Sequence, residues 1–501
     1  MKKTLGILCT FIYLLIAVVV TGCNQQQPLT KPATSTATQL TVKSMQGDLF
    51  ILWSAIKEMH PGYGLYTSAD SLQVAYDKTY QTITHPLSEN EFIAHIYPLI
   101  CKLRCGHTQI RHSDNYKPLP SEPKEPHLPF EVLVRNHHAW VTTHASQQFS
   151  TGDEIISIND VPVTQIINNG YDLYCGDGYI QTFKELFLSE YDGFEDACFK
   201  YYHWQGPYRI KLLTKQGAIK SVIENAAATG GPWQSLPEKL IDNYTGWTLA
   251  KNTGYLPLRF LKNTSTALFE AKTFQYADTT IYTEAFKQIQ QHGVKNLIID
   301  LRHNTGGDIR IAEKLLSFLA DSSFYIVKDV KSRVADPTTT RFEQYFDTAR
   351  TESFRNGFAP GNKESNWYHI NIKPVFGQLY GRISLAKKYH YHGNVYALID
   401  GATFSSAALF TAAFKAQCKN VKFIGRETAG NEEGCNGGTL QRLTLPNTKI
   451  VVDFPWMHLV SVANNPIHGR GIMPNYYVDY TAEDVVSKKD LDLQKAISLI
   501  K

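Results

Sequence analysis

The chain has 501 residues, 43% apolar and 19% charged, a composition that argues against long disorder and allows about three domains. Its net charge of +4 comes from scattered lysines and arginines without a basic block, so no nucleic-acid partner is expected.

At the N-terminus, Lys2 and Lys3 precede an apolar run, Leu5 to Val20, that stops at Thr21-Gly22-Cys23. A charged start, a short apolar core and small residues at its end describe a secretory signal over residues 1–22. The run is short for a bilayer span, which needs about 20 apolar residues. "VTGC" resembles a bacterial lipoprotein signal, and the resemblance implies cleavage before Cys23 and fatty acylation (palmitate) of that cysteine. The alternative is an uncleaved signal anchor. Either way the remainder is exported and tethered to a membrane. Residues 23–44, rich in Gln, Thr, Ser and Pro, read as a flexible linker. Asn24 without a following acidic run points to the cell envelope, at an outer membrane facing the periplasm.

Residues 45–112 form a helical region. Leu49, Trp53, Ile56 and Met59 share one face until Pro61-Gly62, and Ser88-Glu89-Asn90-Glu91 is a capping box opening a second helix. That helix ends near Arg104-Cys105-Gly106, directly before His107. Cys101, Cys105 and His107 have loose metal-ligand spacing, but no second ligand pair follows and no metal is expected. Beyond Cys23 the chain carries Cys101, Cys105, Cys175, Cys198, Cys418 and Cys435. Export permits disulfides among them, and their connectivity stays open.

Residues 113–228 are β-rich. "TGDEIISINDVPV" supplies turn, strand, turn and strand, and resembles a PDZ module whose last hairpin would be Tyr208 to Glu224. An aromatic and acidic insertion, Asn168 to Gly206, interrupts it. The module would dock peptides by added-strand pairing or only position a cleft. Residues 229–501 read as α/β. "VKNLIIDLRHNTGGDIRIAEKLLSFLA" runs from a buried strand through a glycine loop into a helix, "VYALIDGATFSSAALFTAAF" repeats that order, and "VKFIG" adds a strand. Such an order predicts a parallel sheet with functional loops at the carboxyl ends of its strands.

Two serines stand at one strand–helix junction. A serine there is a helix cap or a nucleophile beside helix-terminal amides. The surrounding residues match neither the G-x-S-x-G elbow nor a P-loop. A glycine loop beside a serine loop suits acyl transfer, one offering N–H groups to an oxyanion and the other a hydroxyl.

"IIDLRHNTGG", "LIDGATFSSAALF" and "IGRETAG", with "CGHTQI" far upstream, resemble the serine peptidases related to the tail-specific proteases, the tricorn core and the interphotoreceptor retinoid-binding proteins. The resemblance implies a crotonase-like ββα core within a multidomain α/β chain and a peptide or protein substrate, with no cofactor. It also implies Ser405 as nucleophile, His107 as general base, and oxyanion donors from Ser406 and from Gly306 or Gly307. Taken alone, His107 is equally a helix-terminal residue favoured by the dipole. As a base it would set a fall in kcat/KM near pH 6–7. Asn431 stands where tail-specific proteases carry a lysine base, which directs the resemblance to the Ser–His branch. That branch's orienting glutamate is matched by His468 and its turn aspartate by Asn475, leaving Glu427, Glu432 and Glu433 as substitutes. Two readings follow: a lipid-anchored endopeptidase, or a binding protein that kept the cleft and lost turnover.

Overall fold

Three sheets and twelve α-helices make up the described residues 39–117, 126–228, 230, 244–275, 278–377 and 379–500 of the computed structural model. The expected leader 1–22, Cys23 and most of the linker 23–44 lie outside them. No helix among the described residues is long and apolar enough to cross a membrane.

The first helix, Val42–Met59, begins inside the stretch read as linker, because the Thr41 hydroxyl caps the Ser44 N–H. It buries Met45, Leu49, Leu52, Trp53, Ile56 and Met59 in the main core. Asp48 lies on the same buried face, and its carboxylate accepts the N–H groups of Asn447 and Thr448. A buried acid thereby ties the N-terminal helix to the other end of the chain. The capping box holds as expected: Ser88 and Glu91 exchange hydrogen bonds at the start of the Glu89–Cys101 helix. After the turn carrying His107, Gln109–Arg111 forms a strand antiparallel to Val451–Asp453. An ion pair of 2.6 Å between Arg111 and Asp453 fastens the two.

Residues 130–224 form a six-stranded antiparallel sheet with its own core, and both turns of "TGDEIISINDVPV" fall where the sequence places them. The aromatic and acidic insertion is largely helical, carrying the end of Val163–Tyr171 and then Thr182–Glu190 and Gly193–Tyr202. Its apolar residues are buried at helical spacing: Phe183 and Leu186 from one helix, Phe194 and Cys198 from the next. Between the first two helices, Cys175 to Ile180 reaches away from this sheet and packs beside the turn that carries His107.

The C-terminal half holds a seven-stranded sheet with strand order 476–477, 421–425, 394–399, 296–300, 266–270, 258–261 and 247–249. The first five are parallel. Asn296–Asp300 is buried along its whole length, as expected for a strand covered on both faces. The loops after 300, 399 and 425 therefore emerge side by side at one sheet edge. A third, six-stranded sheet is organised around Val451–Ser461, which pairs with Gly434–Thr444, Val327–Ser332 and the short Gln109–Arg111 strand.

Asp48→Ala would leave the Asn447 and Thr448 N–H groups without their acceptor. We expect unfolding stability in urea to fall by about 2–3 kcal/mol; an unchanged midpoint would mean other contacts hold this helix.

Candidate active site

Ser405 ends the loop that follows the Asn394–Ile399 strand and immediately precedes the Ser406–Gln417 helix. It stands at the cap position, yet its side chain makes no capping hydrogen bond. Its backbone has φ 54° and ψ −126°, a conformation unfavourable for a residue with a Cβ. Surrounding bonds hold it there: Phe404 N–H donates to the Asn304 carbonyl, and Ala429 and Gly430 N–H groups donate to the Thr403 carbonyl. Ser405 keeps partial exposure while Thr403, Phe404 and Ser406 are buried.

The neighbouring glycine loop is braced by Asn304, which is wholly buried. Its amide donates to the Ala271 carbonyl at 2.7 Å, and its side-chain oxygen accepts the Gly306 N–H at 2.9 Å. Gly306 has φ +98°, and a Cβ there would come within 2.9 Å of the Phe404 carbonyl, Ser405 Cβ and Ser406 N. Gly307 has φ +136°, and a Cβ would collide with the Phe274 carbonyl, beside which Gly307 forms a parallel bridge. With Gly306 N–H already taken, the N–H groups of Gly307 and Ser406 make no hydrogen bond among the described residues.

His107 Nε2 lies 2.9 Å from Ser405 Oγ, although 298 positions separate the residues. The imidazole stacks on Phe404 with ring centroids 4.5 Å apart. Its turn is held from three directions. Gly106 N–H donates to Asp177 Oδ1 at 2.7 Å, Gly178 N–H donates to the Arg104 carbonyl at 3.0 Å, and the Thr108 hydroxyl meets His60 Nε2 at 2.6 Å. Burial favours neutral imidazole and lowers the His107 pKa to about 4. That corrects the value near 6–7 expected for an ordinary histidine. Burial has the opposite effect on Asp177, raising its carboxyl to about 7 against the Gly106 hydrogen bond, which lowers it.

The three glutamates considered as orienting acids do not reach this ring. Glu427 is engaged by Arg470 and the Gly471 N–H, Glu432 by Lys415, and Glu433 by Tyr66, His468 and the Gly469 N–H. His107 Nδ1 is buried with no hydrogen-bond partner. Each carboxylate is neutralised by its own cation or donors, which removes the basis for the assignment. Asn475 instead accepts the Phe423 N–H, and Asn431 donates to Tyr66, so both departures from the resembled pattern have local structural partners. The reading of motifs did not single out Asn304, Phe404 or Asp177. Asn304 was detectable as the residue before Thr-Gly-Gly. Asp177 carried no signal, since it meets Gly106 only through tertiary packing.

Residues 265–478 match Peptidase family S41. The structure is similar to that of mature CPAF at 14% identity, covering 91% of this chain and 96% of that one, with a TM-score of 0.60. Mature CPAF complexed with lactacystin gives the same identity and score, covering 91% and 97% of the two chains. The photosystem II D1 C-terminal processing protease is similar at 13% identity over 87% and 93%, with a TM-score of 0.38. No curated protein sequence matches the chain. The likeness to CPAF shows a shared fold across most of both chains.

Gly306→Ala, whose Cβ would press on Ser405 Cβ and Ser406 N, should lower the rate at which a fluorophosphonate labels Ser405 by roughly 100-fold, the scale of displacing one oxyanion donor at Ser406, with the circular dichroism spectrum retained. Labelling at the original rate would show that the loop yields without disturbing Ser405. Since protonation of His107 removes its accepting lone pair, labelling should persist as pH falls until about 4 and be lost below it. A midpoint near pH 6.5 would place the ring in a solvated setting.

Proposed function

We propose that residues 265–478, which match Peptidase family S41, hold the catalytic core of a lipid-anchored serine endopeptidase of the bacterial cell envelope, acting through Ser405 and His107. The 2.9 Å contact between His107 Nε2 and Ser405 Oγ carries the proposal. Ser405 Oγ attacks a peptide carbonyl as its proton passes to Nε2. The carbonyl oxygen, now negative, takes the Ser406 and Gly307 N–H groups, which make no other hydrogen bond among the described residues. The C–N bond then breaks, His107 returns the proton to the leaving amine, and water repeats the sequence to hydrolyse the acyl-enzyme. Gly307 is preferred to Gly306 as second donor because Asn304 already occupies the Gly306 amide.

The substrate class is a peptide or an unfolded segment of protein. The β-rich domain between 113 and 228 is assigned a PDZ-like role in presenting it or in shaping the cleft, ahead of a crotonase-like catalytic core from 229 onward. Cleavage before Cys23 and acylation of that residue would leave the linker as a tether to the outer membrane, facing the periplasm. Lipid tethering is supported by the charged, apolar and small-residue order of the leader.

One observation favours the second reading, a binding protein on this fold. His107 Nδ1 has no hydrogen-bond partner among the described residues, so none of them fixes its tautomer in that way. Stacking on Phe404 and the braced turn orient the ring in another way, and loss of an orienting acid lowers rate without removing the oxyanion contribution.

Fluorophosphonate labelling separates the readings. The wild type should label and Ser405→Ala should not, while His107→Ala should label at least about 1,000-fold more slowly. Absence of labelling in the wild type would leave the binding protein standing.

A further inference from the structure

Two of the six described cysteines meet. Cys101 Sγ, at the last residue of the Glu89–Cys101 helix, lies 3.1 Å from Cys175 Sγ, and both residues are 4% exposed. It is the one sulfur–sulfur contact recorded among the described residues. Cys418 donates to the Leu319 carbonyl and Cys105 accepts from the Thr108 hydroxyl, while Cys198 is buried in the separate core of the β-rich domain. A bond of about 2.05 Å requires the two sulfurs to approach by only about 1 Å.

The position of the pair matters more than its proximity. Cys101 stands six residues before His107, and Cys175 stands two before Asp177. Between these points run the contacts that hold the imidazole turn: Asp177 Oδ1 on the Gly106 N–H, Gly178 N–H on the Arg104 carbonyl, and Arg104 Nη1 on the Gly178 carbonyl. These bonds join the segment leaving the β-rich domain to the segment entering the active site. Without a covalent link they are a short non-covalent bridge between residues some 74 positions apart.

We propose that Cys101 and Cys175 form a disulfide, and that it clamps the 175–180 segment against the turn that presents His107 to Ser405. The bond forms by thiol–disulfide exchange with a disulfide donor such as oxidised glutathione. One thiolate attacks the donor and releases one reduced thiol. The second thiolate then attacks the mixed disulfide and releases another, so two protein thiols are oxidised as one donor disulfide is reduced. Burial holds the Cys175 thiol well above its usual range, so the attacking thiolate arises while the segment is open, during folding or local unfolding. Closing so long a loop restricts the unfolded chain, and exported chains meet donors able to drive the exchange. The clamping role rests on His107 as the base; the disulfide itself does not.

The test uses the purified chain from Cys23 onward, incubated with oxidised glutathione, quenched with N-ethylmaleimide in denaturant and digested. The expected result is a cross-linked peptide pair containing Cys101 and Cys175, with the other four described cysteines alkylated. The thermal midpoint should rise by several degrees, reversibly with dithiothreitol, and a Cys101→Ser, Cys175→Ser double variant should not respond to the oxidant. Alkylation of both residues after oxidation, or a cross-link between other cysteines, overturns the proposal. Fluorophosphonate labelling of Ser405 should be several-fold faster in the oxidised form. A disulfide that leaves this rate unchanged overturns the clamp. If Ser405 labels in neither form, the peptidase reading fails, while the mass of the cross-linked peptide still decides the disulfide.

Discussion

The short antiparallel pairing of Gln109–Arg111 with Val451–Asp453 is the constraint on which the site depends. Those three residues hook the end of the N-terminal helical region onto the central strand of a sheet built almost entirely from the C-terminal half. Without that hook, the 2.9 Å contact between His107 and Ser405, 298 positions apart, would lose the backbone pairing nearest to the imidazole turn. The ion pair between Arg111 and Asp453, together with Asp48 on the 447–448 amides, makes the hook one part of a wider attachment. Buried charges are costly when unpaired, so these carboxylates favour one arrangement of the two halves by disfavouring others.

The opposite side of the site follows from the parallel sheet. Strands with buried faces bring three loops to one edge, and the middle loop forces Ser405 into a left-handed conformation. The cost of that conformation is borne by a set of backbone bonds through Asn304 and Thr403 rather than by the serine itself. The same bonds leave the Ser406 and Gly307 amides without partners among the described residues. Strain at Ser405 and open amides at Ser406 and Gly307 are thus two results of one packing arrangement.

Charge is scarce around the contact between His107 and Ser405. Burial favours neutral His107 and protonated Asp177, and the nearby glutamates are paired with other groups. In such surroundings orientation comes from stacking and backbone hydrogen bonds. Phe404 performs it on one side of the imidazole, and the Gly106–Asp177 contact performs it behind the turn. The His107 ring is therefore supported by the segment that leaves the β-rich domain, which links that domain's position to the site.

The sequence by itself determined the parts whose cause is local. Apolar runs of strand length, the Ser88–Glu91 capping box, the turns around Gly152-Asp153 and Asn159-Asp160, and the strand–loop–helix order around Gly306 and Ser405 all depend on neighbours within a few residues. Placing His107 beside Ser405 was legible only through resemblance, since no spacing rule joins residues so far apart. Tertiary structure alone decided which glycine amide stays free, that Glu427, Glu432 and Glu433 are engaged elsewhere, and that the aromatic stretch after 168 supplies helices and the Asp177 contact. Each of those outcomes depends on which distant group arrives first at a hydrogen-bonding atom, and a linear pattern carries no record of that competition.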